Sequence, residues 1–473
     1  MSLIAGLDVG TTGCKVTVFT PDGKCLGREY RAYKSRRLAN VHEVDAEALS
    51  EGVLDAVEAA SARFGTIDAM GVASFGEAFV LADGDGKPLR PILLCTDSRG
   101  AEECKAFSAS FGEERASRIS GVKPSESYSL PKLMWIKAHE LEVFAKAKYV
   151  MLVEDYVIYL LTGERVIDYS LATRTMAFDI HALEWSREIL DAAGIPVEML
   201  SRPVPTGTVA GVSKGGIKIV AAGHDQVACA VGAGVFEPGT AAEGAGTVEC
   251  ITPVFREIPK SLRFQLDNYC VVPYFGNYVS YAYSYTGGEL LRWCADDICS
   301  RSHEELQTGE YNGPTGLLVL PYLAGAATPY MDSGAKGAIV GLTLGTKGRD
   351  VYLACMEAVA YEMRVNMERL AASGVRFDRL VATGGGAKSK LWMQMKADVL
   401  GIPFDALEVE DAGTVGCAMM AGVACGVYPD LDAACFAMVR RADSYAPDMT
   451  RHEAYSRVYE RYVKLYNAVR PLT

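Results

Sequence analysis

Length and composition favour a globular protein of two domains. The chain has 473 residues, more than the ~250–300 at which one hydrophobic core stops growing, and its 49% hydrophobic and 22% charged residues are typical of an ordinary soluble protein. The net charge of −12 argues against a nucleic-acid binder, which needs basic stripes to replace counterions.

The first half of the chain predicts a β-meander followed by helices and strands. Residues 10–13 and 21–23 form turns between short apolar runs, and Asp45 caps a helix in which apolar residues recur at helical spacing. In chain order, the predicted elements are strands at 4–8, 15–20 and 25–30, a helix over 49–60, a strand at 69–74, a hairpin of 79–81 with 89–94, helical segments across 101–147, a strand at 150–153 with a helix ending at 162, and loops across 164–215 around a helix at 186–193.

A short apolar run at 219–222 predicts a buried strand that ends in polar residues. Gly223 breaks the run, and His224, Asp225 and Gln226 follow at the carboxyl end of the strand. In open α/β sheets that edge carries ligands and catalytic groups, so a carboxylate there suits a general base that binds a hydroxyl. The other interpretation is a strand-end turn in which Asp225 caps the next helix.

The second half restarts the same pattern, with a Gly-Thr turn early and then strands and helices. The predicted elements are strand-like segments around a turn within 242–253, a strand-like segment at 277–284, a helix at 287–298, a strand at 317–320, a helix at 350–372, a strand at 380–383, and helices at 390–400 and 452–469. The symmetry predicts two similar halves. Because no Ser/Gly-rich linker occurs in the sequence, we expect the boundary between them to be a close-packed hinge near 221–223.

The cysteines and the terminal sequence indicate a reducing compartment. Thirteen cysteines occur singly, without a Cys-x-x-Cys pair, so we expect free thiols and neither a zinc ribbon nor a disulfide framework. The sequence has no secretory signal pattern and no apolar run of ~18 residues, so we expect a cytoplasmic protein with no membrane partner.

Three glycine-rich turns, at 8–13, 244–247 and 383–388, are candidate phosphate sites. Glycines let the backbone approach a phosphate closely, while threonine hydroxyls and backbone amides hold its oxygens. Each turn alone is more often a plain turn between strands. The P-loop pattern and a complete dinucleotide fingerprint are both missing from the sequence.

Taken in order, these segments resemble the FGGY carbohydrate kinases of the sugar kinase–actin superfamily. The resemblance spans the whole chain. Its segments are the first phosphate motif at 7–15, Lys-Leu-Met-Trp at 132–135, 149–164, Asp-Tyr-Ser-Leu-Ala at 168–172, the catalytic segment at 222–226, the second phosphate motif at 244–247, the loop at 320–325 and the adenosine motif at 383–394.

The resemblance implies an α/β fold of two ribonuclease H-like, actin-like ATPase domains around a central cleft. Residues 1–222 would form the N-terminal domain, with the sugar side, the first phosphate motif and the Mg²⁺-associated aspartate. Residues 223–473 would form the C-terminal domain, with the catalytic base, the second phosphate motif and the adenosine motif. The implied cofactors are ATP and Mg²⁺.

The resemblance also implies residue roles for phosphoryl transfer. Asp225 would take the proton from the sugar hydroxyl, and Asp8 would bind Mg²⁺ through a water. The expected nucleotide contacts are Thr11, Thr12, Lys15, Gly246, Thr247, Gly288, Arg292, Gly385 and Gly386. For Lys15 a solvated strand lysine, and for Arg292 a surface helix residue, stay open as plain alternatives.

The sugar side departs from the family patterns. Gly76, Glu77, Asp97, Arg99 and Gln226 are the expected sugar contacts; Asp97 and Arg99 have the equal alternative of bracing the loop. Gly76-Glu77 matches neither the Arg-Glu of glycerol kinases nor the Met-His of xylulokinases. Residues 326–327 are both alanine where relatives carry Glu-Arg, which puts the usual loop anchoring in doubt.

These features predict an ATP-dependent kinase of a xylulose-like ketopentose or a related sugar or polyol. A fuculose-type deoxysugar and an aldonate are alternative substrates. The alternatives in other classes are a nucleotide-binding sugar sensor without phosphoryl transfer and, less favoured, an actin-like polymer. The sequence leaves open the sugar, the hydroxyl, a homodimer, allosteric control and the role of His224.

Overall fold

The computed structural model describes residues 2–38, 41–408 and 411–473. Its strands are β1 Ile4–Val9, β2 Gly13–Phe19, β3 Cys25–Ala32, β4 Ser35–Leu38, β5 Val41–Val44, β6 Ala69–Ser74, β7 Phe79–Ala82, β8 Ile92–Leu93, β9 Tyr149–Leu152, β10 Val166–Asp168, β11 Phe178–Asp179, β12 Glu184–Trp185, β13 Arg202–Val204, β14 Thr208–Val212, β15 Lys218–His224, β16 Thr240–Ala245, β17 Glu249–Phe255, β18 Val272–Tyr274, β19 Asn277–Val279, β20 Ala282–Ser284, β21 Leu318–Leu320, β22 Ala338–Val340, β23 Arg379–Thr383, β24 Phe404–Leu407 and β25 Arg441–Tyr445.

The helices follow the same numbering along the chain. They are α1 Ala46–Phe64, α2 Ala101–Phe107, α3 Glu113–Ser120, α4 Ser129–His139, α5 Leu141–Lys146, α6 Val153–Thr162, α7 Tyr169–Thr173, α8 Arg187–Ala193, α9 Asp225–Gly232, α10 Arg263–Leu266, α11 Gly288–Trp293, α12 His303–Gln307, α13 Gly348–Ala372, α14 Lys390–Leu400, α15 Ala412–Ala424, α16 Leu431–Met438, α17 Met449–Tyr462 and α18 Leu465–Val469.

The chain folds as two compact units. The first contains Met1–Gly234, Cys270–Val279 and Asp411–Val439, and the second contains Val235–Tyr269, Ser280–Glu410 and Arg440–Thr473. The boundary predicted between 222 and 223 falls inside β15, whereas the first unit continues through α9. The assignment of sugar and nucleotide to the two domains stays a prediction.

The first unit is built on a mixed sheet with the strand order β14-β15-β6-β1-β2-β3. β1 pairs antiparallel with β2 and parallel with β6, and β15 pairs parallel with β6. β1, β6 and β15 are buried almost throughout, which is why they read as continuous apolar runs. Because these three strands run in one direction, the residues that follow them lie at one edge of the sheet.

The second unit repeats this plan. Its strands run β17-β16-β23-β24-β25, and β20 also pairs with β17. β16 pairs antiparallel with β17 and parallel with β23, β23 pairs parallel with β24, and β25 closes the edge antiparallel to β24. The predicted α/β class and the predicted restart of the pattern are therefore confirmed.

Helix α15 belongs to the first unit although it comes late in the chain. It is buried nearly all round, so its sequence shows no amphipathic period and did not predict a helix. Glycines let its backbone approach closely: a Cβ on Gly6 would lie 2.0 Å from the carbonyl oxygen of Thr414, and a Cβ on Gly232 would lie 1.9 Å from that of Ala412. α15 therefore packs directly on β1 and on α9.

Several predicted elements differ from the structure. The hairpin of 79–81 with 89–94 is wrong: β7 pairs with β9, and one bridge between Ala82 and Pro88 remains of it. The stretch 164–215, predicted as loops around one helix, also contains β10–β14 and α7. These strands were missed because they are too short to show a period in the sequence. Beyond residue 400, β24, β25, α15 and α16 had no counterpart in the predicted elements.

Two expectations from the sequence concern membrane-spanning helices and disulfides. Among the described residues, none of the helices combines the length and hydropathy that a membrane span needs. All thirteen cysteines are reduced thiols outside any disulfide.

Candidate active site

Asp225 lies where strand β15 ends and helix α9 begins. His224, not Asp225, is the N-cap residue: its Nδ1 accepts a hydrogen bond from the Gln226 N–H at 3.3 Å. Within the described chain, Asp225 Oδ1 has no hydrogen-bond partner, and 36% of the side chain stays accessible. The capping interpretation of Asp225 is therefore not the geometry seen: Oδ1 is buried, while another part of the side chain is accessible.

The carboxylate of Asp225 is tuned by its surroundings. Burial and the Glu77 carboxylate raise its pKa to about 6, against the opposing effect of the Gln226 N–H groups. His224 Nδ1 lies 3.2 Å from Asp225 Oδ1, but burial and the Arg174 charge lower the pKa of His224 to about 3. The contact is thus not an ion pair.

A buried polar network holds the strand end that precedes Asp225. The Gly223 N–H donates to Glu154 at 2.7 Å, and the His224 N–H donates to Ser170 Oγ at 2.9 Å. Ser170 Oγ donates to Asp168 at 2.9 Å, and the Asp168 N–H donates to Glu154 at 3.2 Å. These three side chains, which carried no predicted role as individual residues, fix both backbone amides before Asp225.

Gly223 is needed at this junction. Its φ is +90°, and a Cβ there would lie 2.6 Å from Ser170 Oγ. The pairing register of β15 with β6 also shifts between Ala221 and Gly223, which turns the following side chains out of the sheet. The local backbone thus directs Asp225 toward the ligand edge.

The predicted sugar contacts Gly76 and Glu77 lie directly beside this junction. A Cβ on Gly76 would lie 2.8 Å from the His224 ring, so the glycine makes room for that imidazole. Glu77 has a φ of +64°, and Ser129 Oγ donates to its carbonyl oxygen at 2.7 Å. The structure therefore brings Gly76, Glu77, Asp225 and Gln226 together.

Arg174 is a site residue that sequence reasoning missed. Its Nε donates to Glu77 Oε1 at 2.6 Å, its Nη2 contacts the same oxygen, and its guanidinium lies over the Tyr128 ring at 5.0 Å. Arg174 comes from the turn after α7, almost a hundred residues from Glu77. A half-buried arginine beside a buried carboxylate provides donors and acceptors for vicinal hydroxyls.

Asp97 and Arg99 form a closed brace. Asp97 accepts hydrogen bonds from the His42 N–H at 2.8 Å and from Arg99 Nε at 2.9 Å and Nη2 at 2.6 Å. Arg99 Nη2 also reaches Glu43 Oε1 at 2.6 Å. Because these groups satisfy one another, the geometry favours the bracing alternative over direct sugar contact.

Lys15 is not a solvated strand lysine. Its Nζ lies 3.1 Å from Asp8 Oδ2, its partner residue across the β1–β2 ladder, and 3.1 Å from Asp411 Oδ2. Burial raises the pKa of Asp8 to about 6, Lys15 opposes the rise, and Asp225 and Asp411 add to it. Asp411, which caps α15, is a second carboxylate at this position that the sequence did not reveal.

The first phosphate turn is accessible. Thr11 and Thr12 are exposed in the turn between β1 and β2, which the Gly10 N–H closes by donating to the Gly13 carbonyl at 2.9 Å. Exposed hydroxyls and amides at a tight turn are available to phosphate oxygens.

The carboxylates beside Lys15 are the candidate ligands for Mg²⁺. No group of three or more His, Cys, Asp or Glu side chains in the described parts of the chain is arranged to hold a metal ion. Asp8 and Asp411 supply two oxygen ligands of the type that Mg²⁺ prefers. The residues fit a Mg²⁺ that keeps most of its waters, and they do not fit a closed protein cage.

In the second unit, a cavity of about 680 Å³ collects every predicted nucleotide contact of the second half. That size is typical of a small-molecule site. Its lining residues are Ala245, Gly246, Thr247, Gly288, Glu289, Leu291, Arg292, His303, Glu304, Gln307, Tyr352, Gly385, Gly386, Lys388, Ser389 and Trp392.

Close backbone approach explains the glycines of this cavity. The Gly288 N–H donates to the Gly246 carbonyl at 2.8 Å, and a Cβ on Gly288 would lie 2.8 Å from that same oxygen. A Cβ on Gly386 would lie 2.7 Å from the Trp392 ring. Arg292 is exposed and its Nε donates to Glu289 at 3.0 Å, so it lines the cavity as part of a surface ion pair.

The loop that contains Ala326 and Ala327 is held in place by hydrogen bonds of Thr328. Ala326 and Ala327 are buried, and Thr328 Oγ1 accepts from the Tyr283 N–H at 2.8 Å and donates to the Tyr283 carbonyl at 3.1 Å. Backbone pairing to β20 thus holds the loop without the charged pair.

Two models of protein-family domains match this chain. Residues 3–232 match the model of the N-terminal domain of the FGGY family of carbohydrate kinases, and residues 273–425 match the model of its C-terminal domain.

Similar proteins cover nearly the whole chain. A xylulose kinase of Bacillus subtilis is 27% identical over 498 residues, covering 100% of this chain and 98% of that protein. A glycerol kinase of Symbiobacterium thermophilum is 29% identical over 453 residues, covering 90% of each. The solved structure of a xylulose kinase from Rhodospirillum rubrum superposes with a TM-score of 0.90 at 25% identity, covering 99% of each chain.

Proposed function

Because the chain belongs to the FGGY family of carbohydrate kinases, which makes it an ATP-dependent sugar phosphotransferase, we propose a specific reaction for it. The γ-phosphoryl group of ATP passes to a hydroxyl of a ketopentose of the xylulose type, or of a related sugar or polyol. Asp225 is the general base.

The observation that carries this proposal is the state of Asp225. Its side chain is 36% accessible at the junction of β15 and α9, and its pKa of about 6 leaves it mostly ionised near neutral pH yet basic enough to accept a proton. As the substrate oxygen bonds to the γ-phosphorus, its O–H bond breaks and the proton passes to Asp225. The bond from the γ-phosphorus to the bridging oxygen breaks, and ADP leaves.

The chain's other residues bind and orient. The cavity with Gly246, Thr247, Gly288 and Gly386 takes the nucleotide, because its glycines leave the backbone open to phosphate and ribose. The exposed amides and hydroxyls at Thr11 and Thr12 offer further phosphate contacts. Asp8 and Asp411 would hold Mg²⁺ through water, and when bound that ion neutralises charge on the phosphates.

The sugar side supports a polyhydroxy substrate. Glu77 accepts from hydroxyls and Arg174 donates to them, so the buried pair suits two neighbouring hydroxyls. Full-length similarity to a protein named xylulose kinase favours a ketopentose first. A deoxysugar, an aldonate and a polyol stay in the test as alternatives, because Gly76-Glu77 follows no single pattern.

The test measures ADP release with a panel of ketopentoses, deoxysugars, aldonates and polyols. We expect one sugar to give turnover in the wild type and Asp225→Ala to remove most of it. Turnover undiminished in Asp225→Ala would refute the base. Tight ATP binding without turnover on any member of the panel would favour the nucleotide-binding sensor.

A further inference from the structure

A fully buried ion cluster lies under the glycine-rich turn of the second unit. Lys396 Nζ contacts Glu243 Oε1 and lies 2.6 Å from Glu249 Oε1. The three side chains are 0%, 0% and 3% exposed. Buried charges are costly, and an apolar side chain of similar volume would often stabilise the fold at least as well. Stability alone is therefore a weak reason for this cluster.

The two carboxylates lie on the two strands of the hairpin, one on each side of the turn. Glu243 belongs to β16 and Glu249 begins β17, where it lies opposite Ala245 in the ladder. Gly246 and Thr247, between them, line the cavity. Lys396 thus binds both strands of the hairpin directly below the turn.

The same lysine also contacts the opposite wall of the cavity. Lys396 Nζ lies 4.0 Å from the centre of the Trp392 ring, one turn earlier on α14. Trp392 lines the cavity, packs against Gly386 and donates from Nε1 to the Met356 carbonyl at 3.2 Å. One ammonium group therefore joins the phosphate turn to the wall formed by the adenosine motif.

The charges of the cluster do not balance. Two carboxylates face one ammonium, and Glu243 Oε2 and Glu249 Oε2 have no partner among the residues that the structure describes. One proton shared between the two carboxyls would satisfy both oxygens. Burial and the neighbouring Glu243 carboxylate raise the pKa of Glu249, in agreement with a shared proton.

We propose that Lys396 is a positioning residue that fixes the Gly246–Thr247 turn relative to the Trp392 wall and so sets the affinity for the phosphates of ATP. The inference rests on the proposed use of this cavity for ATP. A turn held by two opposed contacts cannot shift along either strand, and a shift of about 1 Å is enough to cost ~10²-fold in a positioned reaction.

The test compares Lys396→Met with Lys464→Met, the same substitution at an exposed lysine of the second unit outside the cavity. We expect Lys396→Met to raise the Kd for ATP about tenfold or more, while the Kd for adenosine and the KM for sugar change by less than about threefold. Lys464→Met should leave all three constants unchanged. An unchanged ATP affinity in folded Lys396→Met, or an equal loss of ATP and adenosine, would overturn the proposal.

Two further variants keep the outcome decisive. Glu243→Gln/Lys396→Met removes one positive and one negative charge together, so it leaves no uncompensated buried charge and serves if the single variant does not fold. We expect the same preferential loss of affinity for ATP over adenosine. Gly288→Val fills the cavity itself. If Gly288→Val retains ATP binding, the proposed ATP site is wrong; if it loses binding while Lys396→Met does not, only the role of Lys396 fails.

Discussion

Replacing Asp225 by asparagine should lower the rate of the kinase and raise its stability. Asparagine has nearly the same shape, and the N-cap contact of His224 does not involve the Asp225 side chain, so helix α9 should begin as before. Without the carboxylate no base accepts the hydroxyl proton. A general base contributes about 10²–10⁴-fold, or roughly 3–5 kcal/mol, so kcat should fall by that factor.

The stability gain follows from the pKa of Asp225. Folding raises that pKa from its ordinary 3.8 to about 6, so the folded state disfavours the ionised carboxylate. The penalty applies in full above about pH 6 and disappears below about pH 4. Two pKa units correspond to about 3 kcal/mol, and since 36% of the side chain is accessible, screening reduces the expected gain to about 1 kcal/mol.

The measurements are ADP release and thermal unfolding near pH 8 and near pH 5. Asp225→Asn should melt a few degrees higher than the wild type at about pH 8, with a smaller difference at about pH 5. Asp432→Asn is the matched control, since Asp432 is an exposed aspartate in the first turn of α16. A variant that keeps its rate, or one that is destabilised at the higher pH, would refute the reasoning.

Three further predictions concern the groups around Asp225. Burial raises the pKa of Asp8 and Asp225 alike to about 6. A plot of log kcat/KM against pH should therefore fall below about pH 6 with a slope approaching 2, and Asp8→Asn should reduce that slope to about 1. A slope of 1 in both the wild type and Asp8→Asn would contradict the requirement that both carboxylates be ionised. Arg174→Met leaves the buried Glu77 carboxylate unpaired, so the KM for sugar should rise roughly 10–100-fold while the KM for ATP stays constant. Equal rises in the two KM values would argue against a sugar-side role for Arg174. Gly223→Ala places a Cβ at φ +90° within 2.6 Å of a serine hydroxyl, so kcat should fall about 10²-fold at an unchanged Kd for ATP. Stopped-flow kinetics measures the rate, and titration measures the Kd. An unaffected kcat would show that the junction of β15 and α9 tolerates the displacement.

The sequence predicted those parts of the site that are local in the chain. A turn with glycine and threonine, or a polar run at the end of an apolar strand, carries its geometry in a few adjacent residues. That is why Thr11, Gly246 and Asp225 could be named as candidates before the fold was known, and why the repeated order of turn, strands and helices predicted two similar sheets. The helices α13 and α14 were predicted for the same reason, since their periodicity is contained in one segment.

The residues that support the site are joined over long distances, and the sequence gives no local sign of them. Arg174 meets Glu77 across 97 positions, and Glu154 meets Gly223 across 69. An arginine at the end of a short helix and a glutamate at the start of another both read as solvated charges. α15 was missed for a different reason: a helix buried on all sides has no polar face to mark its period.

The two sheets carry equivalent hairpins, and in each an ammonium group bonds carboxylates, but the two arrangements differ in what a ligand can do to them. Lys15 and its partners Asp8 and Asp411 are 20–29% exposed, so water screens the contacts and each is worth at most about 1 kcal/mol. A phosphate or a hydrated cation can therefore replace one contact at low cost. Lys396 and its two glutamates are fully buried, and separating them would leave an uncompensated charge that costs about 3–5 kcal/mol. The contacts of the first hairpin are therefore the easier of the two to exchange, whereas those of the second resist separation.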